Sequence, residues 1–230
     1  MDSQCQICTA RGSTIFSDLA PEDLRRVGKL LRLHRYKRHQ VIFMEGDVGH
    51  SIYLIKGGAV KISRALMDGR EQSLRILGPG DILGWEALFE EGYNVTAESL
   101  WESEICSIAQ GDLARLLAAH PIINWKVLKA LFSELMKAQE KILDLGLKNA
   151  RERVATLLLS IPQPCCRQEL KGQKHPFSLS RREISELIGI AQETVSRVLS
   201  ELRQDEIIEL QGRDILILDR QRLGELAGLL

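Results

Sequence analysis

Ser180–Leu210, SRREISELIGIAQETVSRVLSELRQDEIIEL, is the stretch whose reading decides the fold. Ser180 and Glu183 stand at S-x-x-E spacing, the pattern in which two side chains cap each other's backbone donors at a helix start. Gly189 can take the left-handed backbone that ends one helix and aims the next. From Ala191 on, Val195, Leu199 and Leu202 recur at helical spacing and are expected to face inward. That leaves Gln192, Glu193, Ser196 and Arg197 on the opposite side, near the start of the second helix. A helix-turn-helix places its base-reading side chains there. The residue types suit base edges: Arg197 can donate two parallel hydrogen bonds to guanine, and Glu193 can accept from a cytosine amino group. Ser196 can serve a base or a phosphate. A solvated surface helix would show the same spacing, so the following residues matter. IIEL and ILIL flank QGRD, two short β-branched runs around a Gly turn, hence a hairpin. A hairpin directly behind the second helix makes a winged helix, with Arg213 at its tip to meet a phosphate. Arg181, Arg182 and Arg203 extend a local basic face around Arg197 and Arg213.

The first half of the chain reads as β. Between Tyr36 and Ile108 lie the apolar-alternating runs VIFM, SIYLI, AVKIS, SLRIL, DILGW, NVTAESL and SEICSI. Turn signals separate them at Glu45-Gly46-Asp47, Gly57-Gly58, Asp68-Gly69 and Gly78-Pro79-Gly80. Evenly spaced short strands with Gly turns predict a closed or sandwiched antiparallel fold. A short helix, Pro21 to Leu33, is expected before it. From about Ile122 to Asn149 the spacing is helical, and Leu128, Leu131, Leu135, Ala138, Ile142 and Leu145 follow a 3-4-3-4 apolar rhythm. Such a rhythm predicts the seam of a two-stranded coiled coil; a helix packed on its own β-domain is the competing reading. The fold class is therefore α+β, with an N-terminal segment over 1–14, a β-domain over 15–120, a dimerisation helix over 121–148 and a winged helix over 149–230.

The 230 residues are ample for two domains. No apolar run approaches the ~18 residues that span a bilayer, and MDSQCQICTARG lacks a signal-peptide layout, so a cytoplasmic protein without membrane contact is expected. Basic and acidic residues number 31 each. Since phosphate contacts supply most non-specific DNA affinity, a neutral chain needs its basic residues gathered on one face. No Ser/His/Asp order, paired carboxylates or P-loop stands out, so catalysis is not expected.

In these motifs, from about Ile15 through Leu218, the chain resembles the CRP/FNR family of bacterial regulators, the cyclic-AMP receptor and oxygen-sensor group. Glu193-Thr194-Val195-Ser196-Arg197 looks like the E-x-x-S-R of the oxygen-sensor branch, and Gln192 replaces the extra Arg usual in the cyclic-AMP branch. The resemblance implies a homodimer on a palindromic DNA site with half-sites closer to TTGAT than to TGTGA, and contact with RNA polymerase. It also implies that the β-domain is a cyclic-nucleotide-binding-like β-roll, matched at Gly46-Asp47, Ser51 to Leu54, Gly58 and Gly80-Asp81. Family members that bind cyclic nucleotide carry Gly-Glu in a phosphate cassette, then an Arg that neutralises the phosphate. Here the cassette reads Gly84-Trp85-Glu86-Ala87-Leu88, and Val95, before Thr96, stands where the Arg should be. Both decisive polar contacts are missing, which argues against cyclic AMP as effector.

The oxygen-sensor branch holds a [4Fe–4S] cluster with C-x2-C-x5-C near the N-terminus and one distant Cys. By that resemblance Cys5, Cys8 and Cys106 are three ligands, but Thr14 stands where the other belongs. Thiol exchange between Cys5 and Cys8, or no role, remain open beside an incomplete iron–sulfur site. Cys165-Cys166 fits a linker loop. The five histidines, His34, His39, His50, His120 and His175, show no pairing that would indicate haem.

Overall fold

The computed structural model describes residues 15–17, 19–89, 92–162 and 177–228. The described residues divide into two compact units, one within 15–64 and 74–135, the other within 65–73, 136–162 and 177–228.

The first unit is built on a β-roll. Helix α1 (Pro21–Leu30) opens with Pro and two acids in its first turn and buries Leu24 and Val27. Eight strands follow: β1 (Arg32–Tyr36), β2 (Val41–Phe43), β3 (Ser51–Gly57), β4 (Val60–Ala65), β5 (Glu71–Leu77), β6 (Ile82–Leu83), β7 (Thr96–Ser99) and β8 (Ser103–Ala109). They form two four-stranded sheets, ordered β1-β8-β3-β6 and β2-β7-β4-β5. Ile52, Leu54 and Ile55 of β3, with Ile105 and Ile108 of β8, belong to the apolar core of this unit. All four turn signals carry a left-handed glycine, at Gly46, Gly58, Gly69 and Gly80. Gly58 is the demanding one: a Cβ there would stand 2.2 Å from Ser103 Oγ and 2.6 Å from the Glu102 carbonyl oxygen. Helix α2 (Gln110–Ala119) follows the roll, and helix α3 (Pro121–Leu147) begins in this unit and ends in the other.

The second unit holds α4 (Ala150–Ser160), β9 (Phe177–Ser178), α5 (Arg181–Ile188), α6 (Gln192–Gln204), β10 (Ile208–Gln211), β11 (Asp214–Ile217) and α7 (Arg220–Leu226). The chain breaks sharply between α3 and α4. Asn149 caps α4 by accepting from the Arg151 and Glu152 amides at 2.9 and 3.1 Å, and Glu152 accepts from the Asn149 amide at 2.7 Å. Val154 and Leu158 of α4, Ile184 and Leu187 of α5 and Val195, Leu199 and Leu202 of α6 are all buried in this unit.

Three expectations need correction. The first helix stops at Leu30, because Arg32–Tyr36 pairs antiparallel with β8 as an edge strand. The DILGW strand shrinks to Ile82–Leu83, since Gly84 turns to φ +79° and Trp85–Phe89 coil into a 3₁₀ turn. Cys106 lies in the middle of β8, paired across to Leu33 and Leu54. The wing has three strands, because β9 adds to β11.

Candidate nucleic-acid interface and effector site

The DNA-facing candidates all lie in the second unit, on α5, α6 and the wing turn. Ser180 accepts from the Glu183 amide at 3.1 Å, and Glu183 accepts from the Ser180 amide at 2.6 Å, which completes the capping box at the start of α5. Arg181 and Arg182 follow on its exposed first turn, and Arg182 donates to Glu186 at 2.8 Å along the helix surface. Gly189 closes α5 at φ +67° and ψ 43°. Ser185 Oγ donates to the Ile190 carbonyl at 2.6 Å and steadies the turn that leads into α6.

On α6, Val195, Val198, Leu199 and Leu202 are buried at 3 % exposure or less. Helical geometry then sends Gln192, Glu193, Ser196 and Arg197 to the other face. Gln192, Glu193 and Arg197 are exposed, and Ser196 is half-buried. Arg197 is 72 % exposed and approaches Glu201 only loosely, at 3.9 Å, so its guanidinium can turn to a base at little cost. The N-cap of α6 is Ala191, with no side-chain cap, which leaves the first-turn amides able to meet a phosphate. Arg213 sits beside Gly212 (φ +64°) in the β10–β11 turn, exposed at the wing tip.

The first unit carries the effector-site candidates. Trp85 and Val95 both pack, half-buried, on the roll's core cluster. The Trp85 indole N–H is buried and has no hydrogen-bond partner among the described residues. Glu86 is half-buried in the same 3₁₀ turn. Thr96 Oγ1 is occupied, accepting from the Glu45 amide at 3.0 Å.

A polar pair missed by the sequence reading lies in this unit. Arg75 of β5 makes a two-pronged salt bridge to Glu134 of α3, one prong through Nη1 and the other from Nη2 to Oε1 at 3.4 Å. Their side chains are only 19 % and 29 % exposed. Ser73, Arg75 and Leu77 share one face of the strand by alternation, and Ser73 and Leu77 are buried. A charge on the inward parity calls for a counter-ion, and that signal was available in SLRIL.

The apolar residues of α3 divide between two sides. Ile123 and Val127 are buried, and Ala130 and Leu131 pack half-buried on the roll core. Trp125, Leu128, Phe132, Leu135 and Ile142 are 54–69 % exposed, at the 3-4 spacing of a coiled-coil seam. Of the expected seam, Leu128, Leu135, Ala138, Ile142 and Leu145 are exposed, whereas Leu131 is partly taken by the roll. Trp125, Phe132 and Leu143 join the exposed set. The roll thus takes up one side of this helix and leaves an apolar stripe exposed on the other.

Cys106 is 9 % exposed and belongs to the apolar core of the roll. Cys5, Cys8, Cys165 and Cys166 lie outside the described residues. Among the described residues no group of three or more His, Cys, Asp or Glu could hold a metal ion. Of the three expected cluster ligands, Cys106 is the one among the described residues, and it sits in the roll core. Among the same residues no helix is long and apolar enough to cross a membrane.

Comparison with known proteins follows the same two-part division. The cyclic nucleotide-binding domain family matches residues 33–120, and the Crp-like helix-turn-helix domain family matches 152–226. The chain is 31 % identical over 214 residues to a CRP-like cAMP-activated global transcriptional regulator of Mycobacterium tuberculosis, covering 93 % of this chain and 96 % of that one. It is 27 % identical over 227 residues to the transcriptional activator protein FnrA of Stutzerimonas stutzeri, covering 98 % and 93 %. Among solved structures it is similar to FixK2 from Bradyrhizobium japonicum, with TM-score 0.73, 30 % identity and 85 % and 96 % of the two chains covered.

Proposed function

Because the chain belongs to the CRP/FNR family of DNA-binding transcription regulators, we propose that it reads a palindromic TTGAT-like site as a homodimer, in the manner of the family's FNR-type branch. One observation carries the reading: Gln192, Glu193, Ser196 and Arg197 form the polar face of a helix whose other face is buried at 3 % exposure or less. Arg181, Arg182 and Arg213 then supply phosphate contacts, which orient the protein without reading sequence. The exposed stripe of α3 is the dimer surface, and two-fold symmetry matches a palindrome. Activation through RNA polymerase is supported by the similarity to FnrA, a transcriptional activator by name.

The test is titration of the full chain against a duplex with an inverted TTGAT repeat and against one with both half-sites scrambled, at one fixed salt concentration. Specific affinity typically exceeds non-specific affinity by 10³–10⁷. Equal binding to both duplexes would sink the reading.

Two readings stand for the signal. Oxygen or redox response through an iron–sulfur cluster is supported by the likeness to FnrA and by the Cys5–Cys8 spacing. Operation without a diffusible effector is supported by Trp85 and Val95 at the nucleotide-contact positions and by the Arg75–Glu134 pair between the roll and α3. Anaerobic reconstitution with iron and sulfide, beside Cys106→Ala, decides: an air-labile absorbance that needs Cys106 supports the first reading, and a colourless protein with full DNA affinity supports the second.

A further inference from the structure

The last carbonyls of α5 are held by side chains that come from outside the helix-turn-helix. Lys141, on α3, donates from Nζ to the Leu187 carbonyl at 2.6 Å. Arg153, on α4, donates from Nη1 to the Ile188 carbonyl at 3.4 Å. The same guanidinium donates from Nη2 to the Leu145 carbonyl at 2.6 Å and from Nε to the Lys148 carbonyl at 2.9 Å, at the end of α3. Gln72, from the 65–73 segment of the same unit, donates to the Glu186 carbonyl. Three consecutive carbonyls of α5 thus each have a donor from a separate element.

These carbonyls have no partner within their own helix and form the negative end of its dipole, so cations are favoured there. Gly189 follows at once and α6 starts three residues later. The donors therefore grip the base of the turn that aims the recognition helix. Lys141 and Leu145 lie beside Ile142 on the part of α3 that carries the exposed stripe. Lys141 is half-buried, a costly place for an ammonium group unless a fixed acceptor meets it.

We infer that Lys141 and Arg153 are positioning residues for DNA recognition: they latch the end of α5 to the end of α3 and so fix the angle of α6 relative to the seam residues Ala138, Ile142 and Leu145 of the same unit. The inference rests on the proposed dimeric reading of a palindrome and adds the residues that set its half-site spacing. Neither residue touches DNA in this role. A rigid latch makes the dimer intolerant of spacing, because one inserted base pair rotates a half-site by roughly 34° on a duplex of about 10.5 base pairs per turn. A loosened latch lets each recognition helix follow its half-site.

The experiment measures affinity for inverted TTGAT repeats with the best spacer and with one base pair more or less. The full chain is compared with Lys141→Met/Arg153→Met and with Lys141→Arg, and the dimer content of each is checked by sedimentation. The unaltered chain is expected to prefer its best spacer at least tenfold. The double variant should fall to within about threefold across the series while still dimerising, and Lys141→Arg, which keeps a donor, should retain the preference. A general loss of folded protein would weaken all spacers alike and leave their ratio unchanged. If the double variant unfolds, Lys141→Met alone carries the same ratio test. Unchanged discrimination in a folded, loosened variant overturns the latch and leaves the DNA reading intact. An unaltered chain that binds the repeats no better than scrambled DNA overturns both.

Discussion

Arg197 has few internal ties. It is mostly exposed, and its nearest carboxylate is at the limit of an ion pair. Arg197→Ala should cost about 1–3 kcal/mol of discrimination at the base it reads, seen as a flattened ranking of single-base operator variants, with the melting temperature unchanged. Gly58 is the opposite kind of residue. Its φ of +90° and the 2.2 Å approach of Ser103 Oγ leave no room for a methyl group. Ser103 is itself held by Ser99, which donates to it at 2.8 Å, so it cannot step aside freely. Gly58→Ala should lower stability by about 2–4 kcal/mol in denaturant titration. A loss below 1 kcal/mol would show that the β3–β4 turn relaxes more easily than its packing suggests. Glu104 adds a pH signature. The Lys56 ammonium, then the Arg35 guanidinium, hold its carboxyl below the usual range against the opposing effect of burial. Its share of stability is therefore present above the ordinary Glu pKa of about 4.3 and is lost as pH falls below it. Glu104→Gln should flatten the fall in melting temperature between about pH 5 and pH 3.

Among elements, α3 has the most at stake, because its apolar residues serve two directions. Phe132→Asp places a charge in the exposed stripe without touching Ile123 or Val127, which belong to the roll. The expected outcome is a folded monomer in sedimentation with operator affinity down at least tenfold; an intact dimer would move the dimer surface elsewhere. The Arg75–Glu134 pair joins the same helix to β5. Removing one partner from such a half-buried pair should cost about 2–3 kcal/mol, whereas Arg75→Met/Glu134→Leu should recover most of it. A double-mutant cycle by thermal unfolding reads the coupling directly. What was legible in sequence follows from range. The Ser180–Glu183 box, Gly189 and the QGRD turn are local, since their partners lie within a few residues, and the structure has them where the sequence puts them. Arg75 was visible as a charge on an inward parity, but its partner is 59 residues away on a helix. β1 escaped because an edge strand needs only one apolar contact row, and RLHRY is otherwise charged and exposed. Leu131 was assigned to the seam because a 3-4 rhythm cannot say which of two apolar sides a residue joins.

At the scale of the whole molecule, the 31 acids offset the 31 bases, yet the expected DNA contacts draw on arginines of one compact unit. The two family matches, 33–120 and 152–226, leave α3 between them. That helix begins in one unit and ends in the other. Its open stripe also lies ahead of the reading helix in chain order. Ribosomes extend a chain from its N-terminus, so α3 is made and available to pair before α6 exists. On the proposed dimeric reading, neighbouring copies on one messenger can then join as they are synthesised. Such timing would favour self-pairing over mixed dimers in a cell that makes several relatives with similar helices, and would set the partner before either copy can touch DNA.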